Sequence, residues 1–185
     1  MSIKGTRIFE FFKPELRMIP FRLILISIGT IIFQWAFLQG LPLSQYGNPY
    51  VYVWILFILP PQTSRQQQLL IAFFTGSLMD SFEQSGGAHS IACLMLVLIK
   101  PTIETTLLGF RKPEEEEGLS ALSLGAFITT TGVLVICHHF VLFTLENYGF
   151  NHFGVLAIRT LLSSLLSLLL LIIIQALTAR RYGKK

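Results

Sequence analysis

The chain predicts an all-α integral membrane protein with six transmembrane helices and both termini in the cytoplasm. Three observations carry that fold class. Apolar stretches occupy residues 21–41, 49–60, 69–82, 87–108, 119–145 and 153–177, with short connections between them. Hydrophobic residues make up 52% of the 185-residue chain and charged residues only 13%, the balance of a membrane protein rather than a soluble domain. The basic residues of the arm, connections and tail also sort to one side. Lys4, Arg7, Lys13, Arg17 and Arg22 precede or open the first stretch, Arg65 lies in the second connection, Arg111 and Lys112 in the fourth, and Arg180, Arg181, Lys184 and Lys185 in the tail. The alternate connections, near 42–49, 83–88 and 146–152, carry no Lys or Arg. The positive-inside rule then places both termini in the cytoplasm, and one span more or fewer would scramble the sorting.

Residues 1–20 form an arm in which Phe9, Phe11, Phe12 and Leu16 mix with charges. It reads as a segment on the cytoplasmic membrane surface, broken at Pro14, or as a disordered arm that only orients the first span. It lacks an apolar core followed by a small-residue cleavage site, so the first span serves as an uncleaved signal. Span one, 21–41, suits a bilayer core of about 30 Å. Span two, 49–60, is short and reaches only about 18 Å as a helix. Pro49 fits its first turn, the Pro60-Pro61 pair stops it, and Tyr50, Tyr52 and Trp54 suggest an interfacial aromatic belt. Span three, 69–82, is equally short and holds Gly76 and Asp80. The two short segments read as spans in a thin or tilted arrangement, because a re-entrant hairpin would bury Arg65 at its tip.

Span four, 87–108, opens at the Gly86-Gly87 turn and contains Pro101. The connection after it holds the acidic run 114–117, which contributes little to orientation. Span five, 119–145, places Gly118, Gly125 and Gly132 seven residues apart, with Ala121 and Thr129 between them. Small residues at this spacing let helices approach closely in lipid. Span six, 153–177, carries Arg159, then Ser163 and Ser167 at helical spacing, and residues 179–185 form a basic cytoplasmic tail. The net charge of +4 sits at the membrane edge, where it orients spans and meets anionic lipid; it does not indicate nucleic acid. Cys93 and Cys137 lack metal-ligand spacing and read as packing residues.

Polar residues inside spans are the candidates for function. His89, Cys93, Lys100 and Glu104 share one face of span four, and Lys100 is placed to pair with Glu104. A second group, Asp80, Glu83, His89, His138, His139, Glu146 and His152, gathers at the outer ends of spans three to six. Histidine with carboxylate is a transition-metal ligand set, but the helix spacing for it is absent, and the histidines read as edge residues with no metal. Arg159 needs a carboxylate, and Asp80 at similar depth is the natural partner. Asp80 itself is expected to anchor the turn into span four by accepting from its first amides, from His89 or from Arg159. Gly76 admits a neighbouring helix and Gly87 allows the reversal. No nucleotide-binding loop, nucleophile elbow or zinc-protease motif occurs, and no cofactor is called for.

One stretch resembles the rod shape-determining protein MreD family. The likeness rests on Asn48-Pro49-Tyr50 through Leu59-Pro60, Gly76 to Asp80, Gly86 to His89, and Lys100-Pro101, and covers roughly residues 46–102. The resemblance implies a non-enzymatic scaffold subunit of the bacterial cell-elongation machinery, seated in the inner membrane. Its implied partners are membrane lipid and an MreC-like protein, and through that protein MreB, RodA and a class B penicillin-binding protein. It also implies a topology similar to the substrate-binding components of vitamin transporters. That topology supplies an alternative: a membrane component of a transporter that binds a small solute.

Overall fold

The computed structural model describes residues 21–39, 47–60, 62–109, 119 and 122–179. The surface arm, the acidic run at 114–117, Gly118, Ala121 and the basic residues of the tail lie outside the described residues. The described chain is all-helical. Its helices are α1 (Phe21–Phe33), continued by a wider π-helical turn (Gln34–Leu38), then α2 (Trp54–Phe57), α3 (Arg65–Glu83), α4 (Ala88–Leu108), α5 (Leu124–Glu146) and α6 (Phe153–Ala179). Four stretches are long and apolar enough to cross a membrane: Phe21–Leu38, Ala88–Leu108, Leu124–Glu146 and Phe153–Leu177. By length and composition the chain is therefore a multi-pass helical membrane protein.

Helix α3 has 19 residues, about 28 Å of rise, but Gln66 to Gln68 at its start and Asp80 and Glu83 at its end make it more polar. It begins earlier than the hydropathy of residues 69–82 suggests, because Ser64 and Gln67 form a reciprocal capping box. Helices α3, α4, α5 and α6 pack sequentially, each against the next. The α3–α4 reversal is tight: Gln84, Gly86 and Gly87 all have left-handed backbones, at φ 53°, 64° and 99°. Gly76 lets the two helices come together. A Cβ there would lie 2.6 Å from the Ser90 amide nitrogen and 2.7 Å from the His89 carbonyl oxygen, so only glycine fits.

The expected short helix over residues 49–60 is the main difference between sequence expectation and structure. Residues 47–51 have no helical structure, and only Trp54–Phe57 form a four-residue helix. Pro49 does not open a helix. Nor do Tyr50, Tyr52 and Trp54 form an interfacial belt, because every residue from Tyr50 to Phe57 is at most 4% exposed. The segment is the centre of the protein, running beside α4 in the same direction. Tyr52 meets His89 in the first turn of α4, and the Leu56 carbonyl meets Lys100 further along it. A non-helical backbone inside a membrane protein must find its hydrogen bonds in the surrounding protein, since lipid offers none. Here it does. The Gln34 side chain donates to the Pro49 carbonyl and accepts from the Val51 amide. Ser163 and Ser167 accept from the Asn48 and Tyr50 amides at 3.0 and 2.7 Å. The helical spacing of the two serines on α6 thus matches two alternate amides of an extended strand of chain.

Pro101 has a similar resolution. Proline cannot donate to the carbonyl four residues back, which is that of Val97. The Arg65 guanidinium donates to the Val97 carbonyl at 2.5 Å and to the Leu98 carbonyl at 3.1 Å. Arg65 thus takes up carbonyls in the middle of α4, beside the proline.

The close-contact role expected of Gly125 and Gly132 in α5 is not found within the fold. Among the described residues, a Cβ on Gly125 would have no neighbour within 4 Å, and one on Gly132 would meet only Leu168 Cδ2 at an ordinary 3.5 Å. The core-facing side of α5 is instead Phe127, Thr130, Thr131, Leu134, Val135, His138, His139, Leu142 and Phe143. Gly125 falls off that face and is exposed.

Candidate functional site

The polar residues gather where α3 ends, α4 begins, α5 ends and α6 begins. Asp80 turns toward the first turn of α4. Its Oδ1 accepts from the His89 amide at 2.9 Å and from Ser85 Oγ at 2.5 Å. Its Oδ2 accepts from the Ser90 amide at 3.0 Å and from Ser90 Oγ at 2.6 Å. Gly87, at the N-cap of α4, has no side chain to cap the helix, so Asp80 does so from the preceding helix. Of the partners expected for Asp80, the α4 amides are the ones used.

Arg159 is not its partner. The guanidinium pairs with Glu146 Oε2 at 2.8 Å and lies over the Phe143 ring, 4.3 Å from its centroid. Arg159 and Glu146 sit on either side of the short α5–α6 connection, which brings them together, while the cap geometry turns Asp80 away toward α4. Phe143 adds a cation–π contact to the ion pair.

His89 links the open end to the interior. Its Nε2 lies 3.2 Å from Glu83 Oε2, and its Nδ1 lies 2.8 Å from the Tyr52 hydroxyl. The same hydroxyl lies 2.8 Å from His138 Nε2. Glu83 also accepts from the Tyr50 hydroxyl at 3.1 Å. The result is a continuous chain, Glu83–His89–Tyr52–His138, from the end of the bundle into its core. Each ring nitrogen or hydroxyl in it can donate or accept according to tautomer. His139 sits beside it, with Nδ1 on Ser164 Oγ at 2.9 Å and its ring stacked on Phe143. The reading of the histidines as edge residues therefore needs correction. His89, His138 and His139 are fully buried, drawn inward by the hydroxyls of Tyr52 and Ser164; of the four, only His152 is exposed.

At the mouth of this chain is a cavity of about 510 Å³. Asn48, Tyr50, Glu83, Glu146, Tyr148 and Arg159 line it. Glu83, His89 and Glu146 converge beside it, each offering one ligand atom, all within 4.8 Å of one another.

On the far part of α4 the expected face is present. His89 and Cys93 are buried, and Lys100 Nζ lies 3.8 Å from Glu104 Oε1. Lys100 also donates to the Leu56 carbonyl at 3.3 Å, capping the C-terminal end of the short α2. Lys100 and Glu104 stand well apart from the cavity group along α4. Sequence reasoning missed Tyr50, Tyr52 and Gln34. A usable signal was present for Gln34: a glutamine in an otherwise apolar span needs a polar partner inside the protein.

Comparison of the chain with protein-family profiles, with curated proteins and with solved structures finds no match.

Proposed function

We propose that this protein is a non-enzymatic, MreD-like scaffold of the bacterial cell-elongation machinery. In this reading it sits in the inner membrane with six spans and both termini in the cytoplasm. The four long apolar helices supply four spans. Helix α3 and the buried segment alongside α4 supply the other two, the latter only partly helical. The observation that carries the scaffold reading is where the MreD-like residues meet. Gly76 admits α4, Asp80 caps it, Gly87 makes the reversal, and Lys100 caps the end of the central segment. These polar groups are engaged in holding one buried architecture together, which supports a structural rather than a catalytic role.

A scaffold with such short connections offers partners chiefly its lipid-facing helix surfaces. Helix α1 is the most available, with no buried residue from Phe21 to Phe33. Exposed Phe21, Ile24, Leu25, Ile28 and Ile32 make it an apolar surface on which a partner's transmembrane helix can lie. The expected partner is an MreC-like protein, with MreB, RodA and a class B penicillin-binding protein recruited through it. The cavity at Tyr50, Glu83 and Arg159 favours a second reading, a solute-binding transporter component, because such a component needs a preformed polar pocket. A detergent pull-down from the native bacterium separates the two. The scaffold reading expects a single-span partner with a large periplasmic domain in near-stoichiometric amount. Recovery of transporter subunits together with a small molecule released on denaturation would overturn it.

A further inference from the structure

We propose that Glu83, His89 and Glu146 form a three-ligand site for a divalent transition-metal ion of the zinc type, with its fourth position open to the cavity. The proposal is independent of the scaffold reading.

The donor set is one imidazole nitrogen and two carboxylates, a combination that suits zinc better than calcium or magnesium, which prefer oxygen alone. The three donor atoms come from three different helices and lie within 4.8 Å of one another. Zinc with ligands at about 2.0–2.2 Å needs tetrahedral donor separations of about 3.4 Å. Glu83 Oε2 and His89 Nε2 are already 3.2 Å apart. Closing the set therefore requires the Glu146 carboxylate, which is partly exposed at the cavity wall, to move in from within 4.8 Å to about 3.4 Å.

Two features outside the donor group favour a ligand role for His89. The first is Tyr52. A metal-bound histidine commonly holds its second ring nitrogen on a hydrogen-bond partner that fixes the ring. His89 Nδ1 is held 2.8 Å from the fully buried Tyr52 hydroxyl, which is backed by His138. Because Tyr52 can donate or accept, His89 can present Nε2 as a bare lone pair while keeping its bond to Tyr52. The second is the cavity, which leaves the fourth position accessible to water or to an oxygen of an incoming group, as in open zinc sites.

Arg159 is the opposing charge. It holds Glu146 Oε2 at 2.8 Å, so an arriving cation is opposed by a positive charge on the same carboxylate. This opposition gives the proposal a signature that a purely structural cluster would lack.

The test uses the full chain, purified in detergent, with the affinity tag removed and the protein treated with chelator. It is then titrated with zinc alone against a chromophoric chelator, and metal content is measured after desalting. One zinc per chain is expected. Glu83→Gln, which keeps an acceptor for Tyr50, should abolish stoichiometric binding. Tyr52→Phe should weaken it by about tenfold or more through the freed imidazole. Arg159→Gln should tighten it several-fold, because a competing cation is removed. Melting curves without metal separate misfolding from lost ligation; if Glu83→Gln fails to fold, Glu146→Asp, with its shorter reach, should instead bind more weakly. Failure of the folded wild-type chain to bind zinc would overturn the proposal. Zinc binding unchanged in both glutamate variants would do the same by placing the ion elsewhere.

Discussion

Asp80 shows how much one carboxylate can organise. Two oxygens receive four donors, two of them amides that helix geometry leaves without intrahelical partners. Asp80→Ala removes every one of these acceptors and leaves the donors at a packed helix junction. The expected loss is about 1–3 kcal/mol, read as a lower melting temperature in detergent. Asp80→Asn keeps one oxygen as acceptor but sets its NH2 against the other backbone amide, so it should lose part of this stability and less than Asp80→Ala. The milder outcome is expected because the partners are amides and hydroxyls rather than the Arg159 cation. If Asp80→Ala melted at the wild-type temperature, the shared cap would not be what Asp80 contributes. The same logic applies to Gln34 and Ser167, where a side chain supplies what a helix would otherwise supply to the backbone.

Between helices, the distribution of glycine is informative only once the neighbours are known. Gly76 and Gly125 both read as small residues suited to close approach. Against Gly76 lies α4 backbone, which cannot rotate away as a flexible side chain can. Gly76→Ala should therefore cost about 1–3 kcal/mol through overpacking. Gly125→Ala adds a methyl to open space and replaces a poor helix former, so it should be neutral or stabilising by up to about 1 kcal/mol. Thermal denaturation of the two variants side by side checks both. Equal stability would mean that α3 and α4 are not in backbone contact at Ser90. Helix α4 adds a second lesson at this scale. Its internal proline frees a carbonyl, and a basic side chain from the start of α3 takes that carbonyl up.

For the whole molecule, the open end with Glu83, Glu146 and Arg159 and the opposite end with Arg65 and Lys100 should face different compartments. Cysteines placed at the exposed positions Gln84 and Asn151 should react with a membrane-impermeant maleimide from the periplasm, and one at Glu115 should not. Labelling of the Glu115 site in intact cells would reverse or break the six-span topology. The outward surface fits lipid: α1, α4, α5 and α6 all present large exposed apolar side chains, such as Ile28, Leu98, Ile136 and Leu165. The inward surface includes many polar side chains. Thr130, Thr131, His138, His139, Ser163 and Ser167 are all buried.

Several features were legible from the sequence alone. Long apolar runs set the positions of α1, α4, α5 and α6, because in lipid only a helix satisfies its own backbone over that length. A capping role for Asp80 at the α4 amides was legible as one of three alternatives, since a carboxylate, a Gly-Gly turn and a helix start occur within ten residues; the structure selects it over Arg159. The path of residues 47–60 was decided only by tertiary structure. A short apolar run with flanking prolines fits a helix, a strand or a buried coil equally well by periodicity. What selects the non-helical form is a set of acceptors and donors far away in sequence, on Gln34, Ser163 and Ser167. The partner of Arg159 belongs to the same class. Depth along a span pointed to Asp80, but the packing of α5 on α6 and the commitment of Asp80 to α4 give the guanidinium to Glu146 instead.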